Sequence, residues 1–110
     1  MRKVIYKYSI SSTDSPDLMA VAPGSKFTIP MRKGAEILSL QAQAEFSVQG
    51  IPQVTGKLWA MLDPSEIGLE DRFFALIQTG QEFEIEKAMK YIGTYELHGG
   101  LTVLHLFEYI

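Results

Sequence analysis

A period of two runs through almost the whole chain, and it limits what the chain can become. Apolar and polar residues alternate in short runs, each closed by turn-forming residues, which is the pattern of strands with one covered face. From Lys3 to Ile10, Val4, Tyr6, Tyr8 and Ile10 share one face, and Lys3, Ile5, Lys7 and Ser9 share the other. Ser11 to Asp17 is a run of turn formers and reads as a loop. Lys26 to Met31 is a strand with Phe27 and Ile29 on one side, and Pro30 places it at a sheet edge because proline cannot donate to a ladder. Further strands are expected over Glu36 to Ala44, Lys57 to Leu62, Arg72 to Gln78, Met89 to Leu97 and Leu101 to Tyr109. Turn signals separate them at Lys33-Gly34, Asp63-Pro64-Ser65, Thr79-Gly80 and His98-Gly99-Gly100. In the strand from Glu36, alternation predicts Leu38, Leu40, Ala42 and Ala44 on one face and Ile37, Ser39, Gln41 and Gln43 on the other.

About six to eight short strands with tight turns predict an all-β domain, an antiparallel sandwich or a partly open barrel. At most one short helix is expected. Gln81 to Lys90 carries helix formers, yet Phe83 and Ile85 alternate with glutamates, so one helical turn and an irregular loop both stand. A second short turn is expected over Pro64 to Leu69. The last hairpin admits two registers. A two-residue loop at Gly99-Gly100 sets Thr94 opposite His105. A three-residue loop sets Leu97 opposite Leu101, Tyr95 opposite Val103, Gly93 opposite His105 and Tyr91 opposite Phe107. The second groups the large apolar residues and is the expected one.

The chain has 110 residues, 46% of them hydrophobic and 21% charged, which suits one globular domain over 1–110. A net charge of −3 argues against broad nucleic-acid binding. With no cysteine, a disulfide scaffold, a zinc–thiolate site and a thiol nucleophile are excluded. The start, Met1 to Tyr8, lacks the apolar run of a signal peptide, and no stretch nears the roughly 18 apolar residues of a membrane helix. A soluble cytoplasmic protein without membrane contact is expected.

No residue set answers to catalysis, so no enzyme, no cofactor and no metal are expected. His105 reads as a half-covered strand histidine, and His98 as a turn residue. Gly99-Gly100 joins two strands and opens no helix, so it is not a phosphate loop. Asp63, Glu66, Glu70 and Asp71 read as a solvated acidic connection without calcium-loop spacing. Glu82, Glu84 and Glu86 alternate as an acidic face that discourages edge pairing or meets a basic surface. Arg2, Lys3, Lys7, Lys26, Arg32 and Lys33 concentrate positive charge in the first third, and Arg2, Lys3 and Lys26 are the candidates for an anionic ligand. The segment over 44–55 is the leading candidate for function. Phe46, Val48, Ile51 and Val54 lie there around Gly50 and Pro52. It is either a hairpin arm that meets a partner or an extension folded on the core.

Several stretches match in order a known pattern: Met1-Arg2-Lys3-Val4-Ile5-Tyr6-Lys7-Tyr8, Gly34 to Gln43, Leu58-Trp59-Ala60-Met61-Leu62-Asp63, Tyr91-Ile92-Gly93-Thr94-Tyr95-Glu96-Leu97 with its Gly-Gly turn, and His105-Leu106-Phe107-Glu108. Together they resemble a family of small uncharacterised proteins, a domain of unknown function found mainly in bacteriophages and prophages. This chain differs in a longer connection after Gln43 and in Gln81, where histidine is usual. The resemblance implies a phage setting and transfers no catalytic residue. The expectation is an accessory protein that binds a host or phage protein in the infected cell, with self-association as a homo-oligomer. A nucleotide-signal binding sponge that counters host defence and a minor virion component are the alternatives.

Overall fold

The alternating runs become seven strands: β1 (Val4–Ser9), β2 (Lys26–Arg32), β3 (Glu36–Phe46), β4 (Pro52–Leu62), β5 (Leu69–Gln78), β6 (Met89–Leu97) and β7 (Thr102–Tyr109). The computed structural model describes residues 1–10, 26–46, 50, 52–86 and 88–110, with the backbone alone at 45, 46, 52 and 53. Among the described residues two open antiparallel sheets form, ordered β1-β4-β3 and β2-β5-β7-β6, and no ladder closes them into a barrel. No helix among the described residues is long and apolar enough to cross a membrane.

The sheets share one core. Ile10, Leu58, Ala60 and Leu62 meet Phe27, Ile29, Met31, Phe74, Leu76, Tyr95, Leu104 and Leu106. Phe27 stacks on Phe74 with ring centres 5.8 Å apart. Each of the Leu, Ile, Met and Phe side chains among them contributes about 1.5–3 kcal/mol through removal of apolar surface from water. Pro30 stands exposed on β2, an edge strand as its chemistry requires. On the side where β3 nears β6, Gly93 lets the sheets close. A methyl there would lie 3.2 Å from the Leu40 side chain.

Burial holds the Tyr95 phenol well above its ordinary value. The unfolded chain releases this proton near pH 10 while the folded chain retains it, so stability is full below that pH and falls as pH rises above it. Tyr95→Phe should flatten this alkaline loss in urea titrations between pH 9 and pH 11. An unchanged slope would refute the assignment.

Two expectations are corrected, and one open alternative is decided. First, β3 carries a bulge at Leu38, between Ile37 and Ser39. The extra residue reverses the facing order. Leu38 turns outward, 46% exposed, and Ile37 packs on the core with Leu40 and Ala42. Second, the hairpin of β6 and β7 pairs Leu97 with Thr102, Tyr95 with Leu104 and Thr94 with His105 near its turn. That is the register the apolar count disfavoured. Its connection is a 3-10 turn, His98–Gly100, closed by the Leu101 N–H on the His98 carbonyl. His98, Gly99 and Gly100 all have positive φ. A bulge at Ile92 then slips the ladder by one, so Tyr91 does face Phe107. The core decides: Tyr95 and Leu104 together point at the opposite sheet. Of the two readings open for Gln81 to Lys90, residues 81–86 take the irregular one and form no helix. The Gln81 side-chain oxygen accepts the Gln78 N–H, and the Met89 N–H donates to the Glu86 carbonyl, which starts β6 directly. Likewise Pro64 to Leu69 holds a hydrogen-bonded turn, with the Glu66 N–H on the Asp63 carbonyl.

Candidate binding cleft

At one end of the sandwich β3 and β6 part, and a cleft of about 650 Å³ opens between them. Both strands are sheet edges, and the two bulges, at Leu38 and Ile92, fall on its walls. Bulges end regular pairing and re-aim side chains, which is why they gather at edges and sites. Ile37 and Leu38 line one wall, and Tyr91 and Ile92 the other. Glu36, Glu70 and Lys90 bring charge to the rim.

The base of the cleft is an ion pair. Arg72 lies on β5 and Glu108 on β7, both at inward positions, because Glu108 sits opposite Phe74. Arg72 Nε and Nη2 donate to the two Glu108 carboxylate oxygens at 2.6 and 2.9 Å, and Nη1 donates to the Ala35 carbonyl at 2.5 Å. The hydrogen bonds to Glu108 hold the guanidinium charge more firmly than usual against its own desolvation. This fork links β5, β7 and the residue before β3 into one floor. The cleft therefore offers a slot of mixed apolar and polar lining, strand edges and a fixed charged base.

The residues singled out in the sequence are scattered. Phe46 is the last pair of the β3–β4 hairpin, opposite Pro52, but its side chain, with Val48 and Ile51, lies outside what the structure describes. Val54 pairs with Ala44 in the β3–β4 hairpin and is exposed, and Thr55 beside it is buried. Arg2 and Lys3 are exposed ahead of β1, in the three-stranded sheet. Lys26 belongs to the other sheet, its ammonium 4.4 Å from the Tyr109 ring centre and 5.5 Å from that of Phe73. Asp63 is exposed and accepts both the Ser65 N–H and hydroxyl, which lowers its carboxyl. His105 sits between two threonine hydroxyls, Thr79 at 2.7 Å from Nε2 and Thr94 at 2.8 Å from Nδ1. Among the described residues no group of three His, Asp or Glu converges on a metal position.

Sequence reading missed Arg72 and Glu108. One signal was present. Arg72 shares strand parity with Phe74 and Leu76, and Glu108 with Leu104 and Leu106, so opposite charges stand at core-facing positions of two strands.

A family model for the DUF7352 domain of unknown function matches residues 1–110, and the chain belongs to that family. No curated protein and no solved structure matches it.

Proposed function

We propose that this member of an uncharacterised family is a phage-encoded, non-catalytic accessory protein that captures a host or phage protein by an extended segment laid in the β3–β6 cleft. The phage setting rests on the sequence resemblance. The binding mode rests on one observation: two strand edges flank a cleft with apolar walls at Ile37, Leu38 and Ile92, a charged rim, and a floor held by the Arg72–Glu108 fork. An extended peptide adds to such an edge through main-chain hydrogen bonds and gains selectivity from pockets for alternate side chains. The division of Arg2 and Lys3 from Lys26 between two sheets weighs against the nucleotide-signal reading within one chain.

Selection of random dodecapeptides displayed against the folded protein should yield binders with alternating apolar residues. Leu38 is already exposed, so Leu38→Asp leaves folding intact and should weaken those peptides at least about tenfold, the effect of about 1.4 kcal/mol. Val54→Ser, on the β3–β4 hairpin, should leave them unchanged. If Leu38→Asp has no effect and Val54→Ser abolishes binding, the hairpin rather than the cleft is the site.

A further inference from the structure

The outward face of the four-stranded sheet carries a second open feature, which adjoins the cleft at Tyr91. Opposed residues share a face, and Phe73 pairs with Tyr109, Ala75 with Phe107, and Tyr91 with Phe107. Aromatic rings thus collect on that side in two neighbouring groups. In the first, Tyr109 and Phe73 already hold the Lys26 ammonium. In the second, Phe107 is central. Tyr91 stands 5.6 Å from it at 61°, and Phe83 stands 5.4 Å from it at 46°. Rings in contact at these angles still leave the outer faces of the exposed Phe83 and Tyr91 open, and such faces attract a cation. Phe83 is 43% exposed and Tyr91 54%.

Two further observations agree. Phe83 lies between Glu82 and Glu84, both exposed, which line a surface depression with it. Tyr91 is held upright by a polar chain, its hydroxyl meeting Thr94 Oγ1 at 2.5 Å and Thr94 meeting His105 Nδ1 at 2.8 Å. His105 is thereby a positioning residue for the ring. Aromatic faces with carboxylates beside them favour an ammonium or guanidinium and repel phosphate.

We propose that this face binds a lysine- or arginine-bearing segment of a protein partner, with one cationic side chain laid on the exposed rings of Phe83 and Tyr91, which Phe107 backs, beside Glu82 and Glu84. Lys26 on Tyr109, two residues along β7 from Phe107, is the intramolecular precedent for the contact.

The test uses a fluorescein-labelled lysine decapeptide, with a glutamate decapeptide as control, and reads anisotropy with the full chain at 50 and 150 mM salt. The lysine peptide should bind and the glutamate peptide should not. Phe83→Ala, which leaves the net charge alone, should weaken binding about threefold to tenfold, and Phe83→Trp should preserve or tighten it. Ring protons of Phe83 and Phe107 should shift in NMR spectra, and Leu38→Asp in the cleft should change nothing. No binding in the millimolar range overturns the proposal. So does binding that Phe83→Ala leaves intact, since that is charge attraction alone, and so do shifts confined to Leu38 and Ile92.

Discussion

Arg72→Ala should lower the stability of the folded chain by about 2–4 kcal/mol. The substitution removes three hydrogen bonds at once. It leaves the Glu108 carboxylate, with only 10% of its side chain exposed, without its countercharge, and it strips the Ala35 carbonyl of that donor. Water still reaches part of the guanidinium, 18% exposed, which keeps the cost at the lower end of the range for buried pairs. For a domain of this size the midpoint should fall by roughly 10–20 °C. Glu108→Ala should cost a similar amount. The pair Arg72→Met with Glu108→Met should recover most of the loss, because neither charge is then stranded and both side chains fill apolar space. Thermal and urea denaturation of the three variants decides it. A loss below about 0.5 kcal/mol for Arg72→Ala would show that the cleft floor is not held by this pair. The same variant should also loosen the cleft, since the fork joins β5, β7 and the turn leading into β3.

Gly56→Ala should destabilise by about 2 kcal/mol through overpacking. Gly56 has no positive φ, so its backbone would accept alanine. Space is the reason it cannot. A Cβ there would stand 2.6 Å from Tyr95 Cζ, 2.9 Å from its hydroxyl oxygen and 3.0 Å from Ile10 Cδ1. Tyr95 is a rigid ring between the sheets and has no clear rotamer to escape to. Either the sheets part or the ring tilts off its well, and each costs packing across the core. Gly93→Ala is the internal control. Its nearest contacts are Leu40 Cδ2 at 3.2 Å, the end of a flexible side chain, and Leu40 Cβ at an ordinary 3.4 Å, so it should cost less. Tyr95→Leu combined with Gly56→Ala should be more stable than the sum of the single changes, with a coupling of about 0.5–3 kcal/mol. Urea midpoints measure all four. If Gly56→Ala equals or exceeds the parent, the close approach of β4 to Tyr95 is not a tight contact.

Both positions show where reading the chain in one dimension stops. Gly56 looks like any glycine within a strand, and nothing near it in sequence announces a ring from β6. Arg72 and Glu108 are 36 residues apart, and only the neighbouring of β5 and β7 brings their inward positions together. The aromatic face escaped notice similarly. Phe73, Tyr91, Phe107 and Tyr109 lie on three strands and become one surface through cross-strand register. The acidic alternation of Glu82, Glu84 and Glu86 was legible, as was the exposed acidic turn around Asp63.

What local chemistry determined by itself was the class of fold. Alternation with period two and closely spaced turn formers predict an all-β chain, and seven strands in two antiparallel sheets are present. Proline placed β2 at an edge, where its missing N–H costs nothing. Facing and register needed the tertiary structure. One inserted residue, at Leu38 or at Ile92, reverses which side chains meet the core, and a bulge leaves no mark in the alternation that precedes it. The period of two carries strand identity because it is local. It does not carry parity across a bulge or the pairing of distant strands, because both are decided by the apolar surface that the opposite sheet presents.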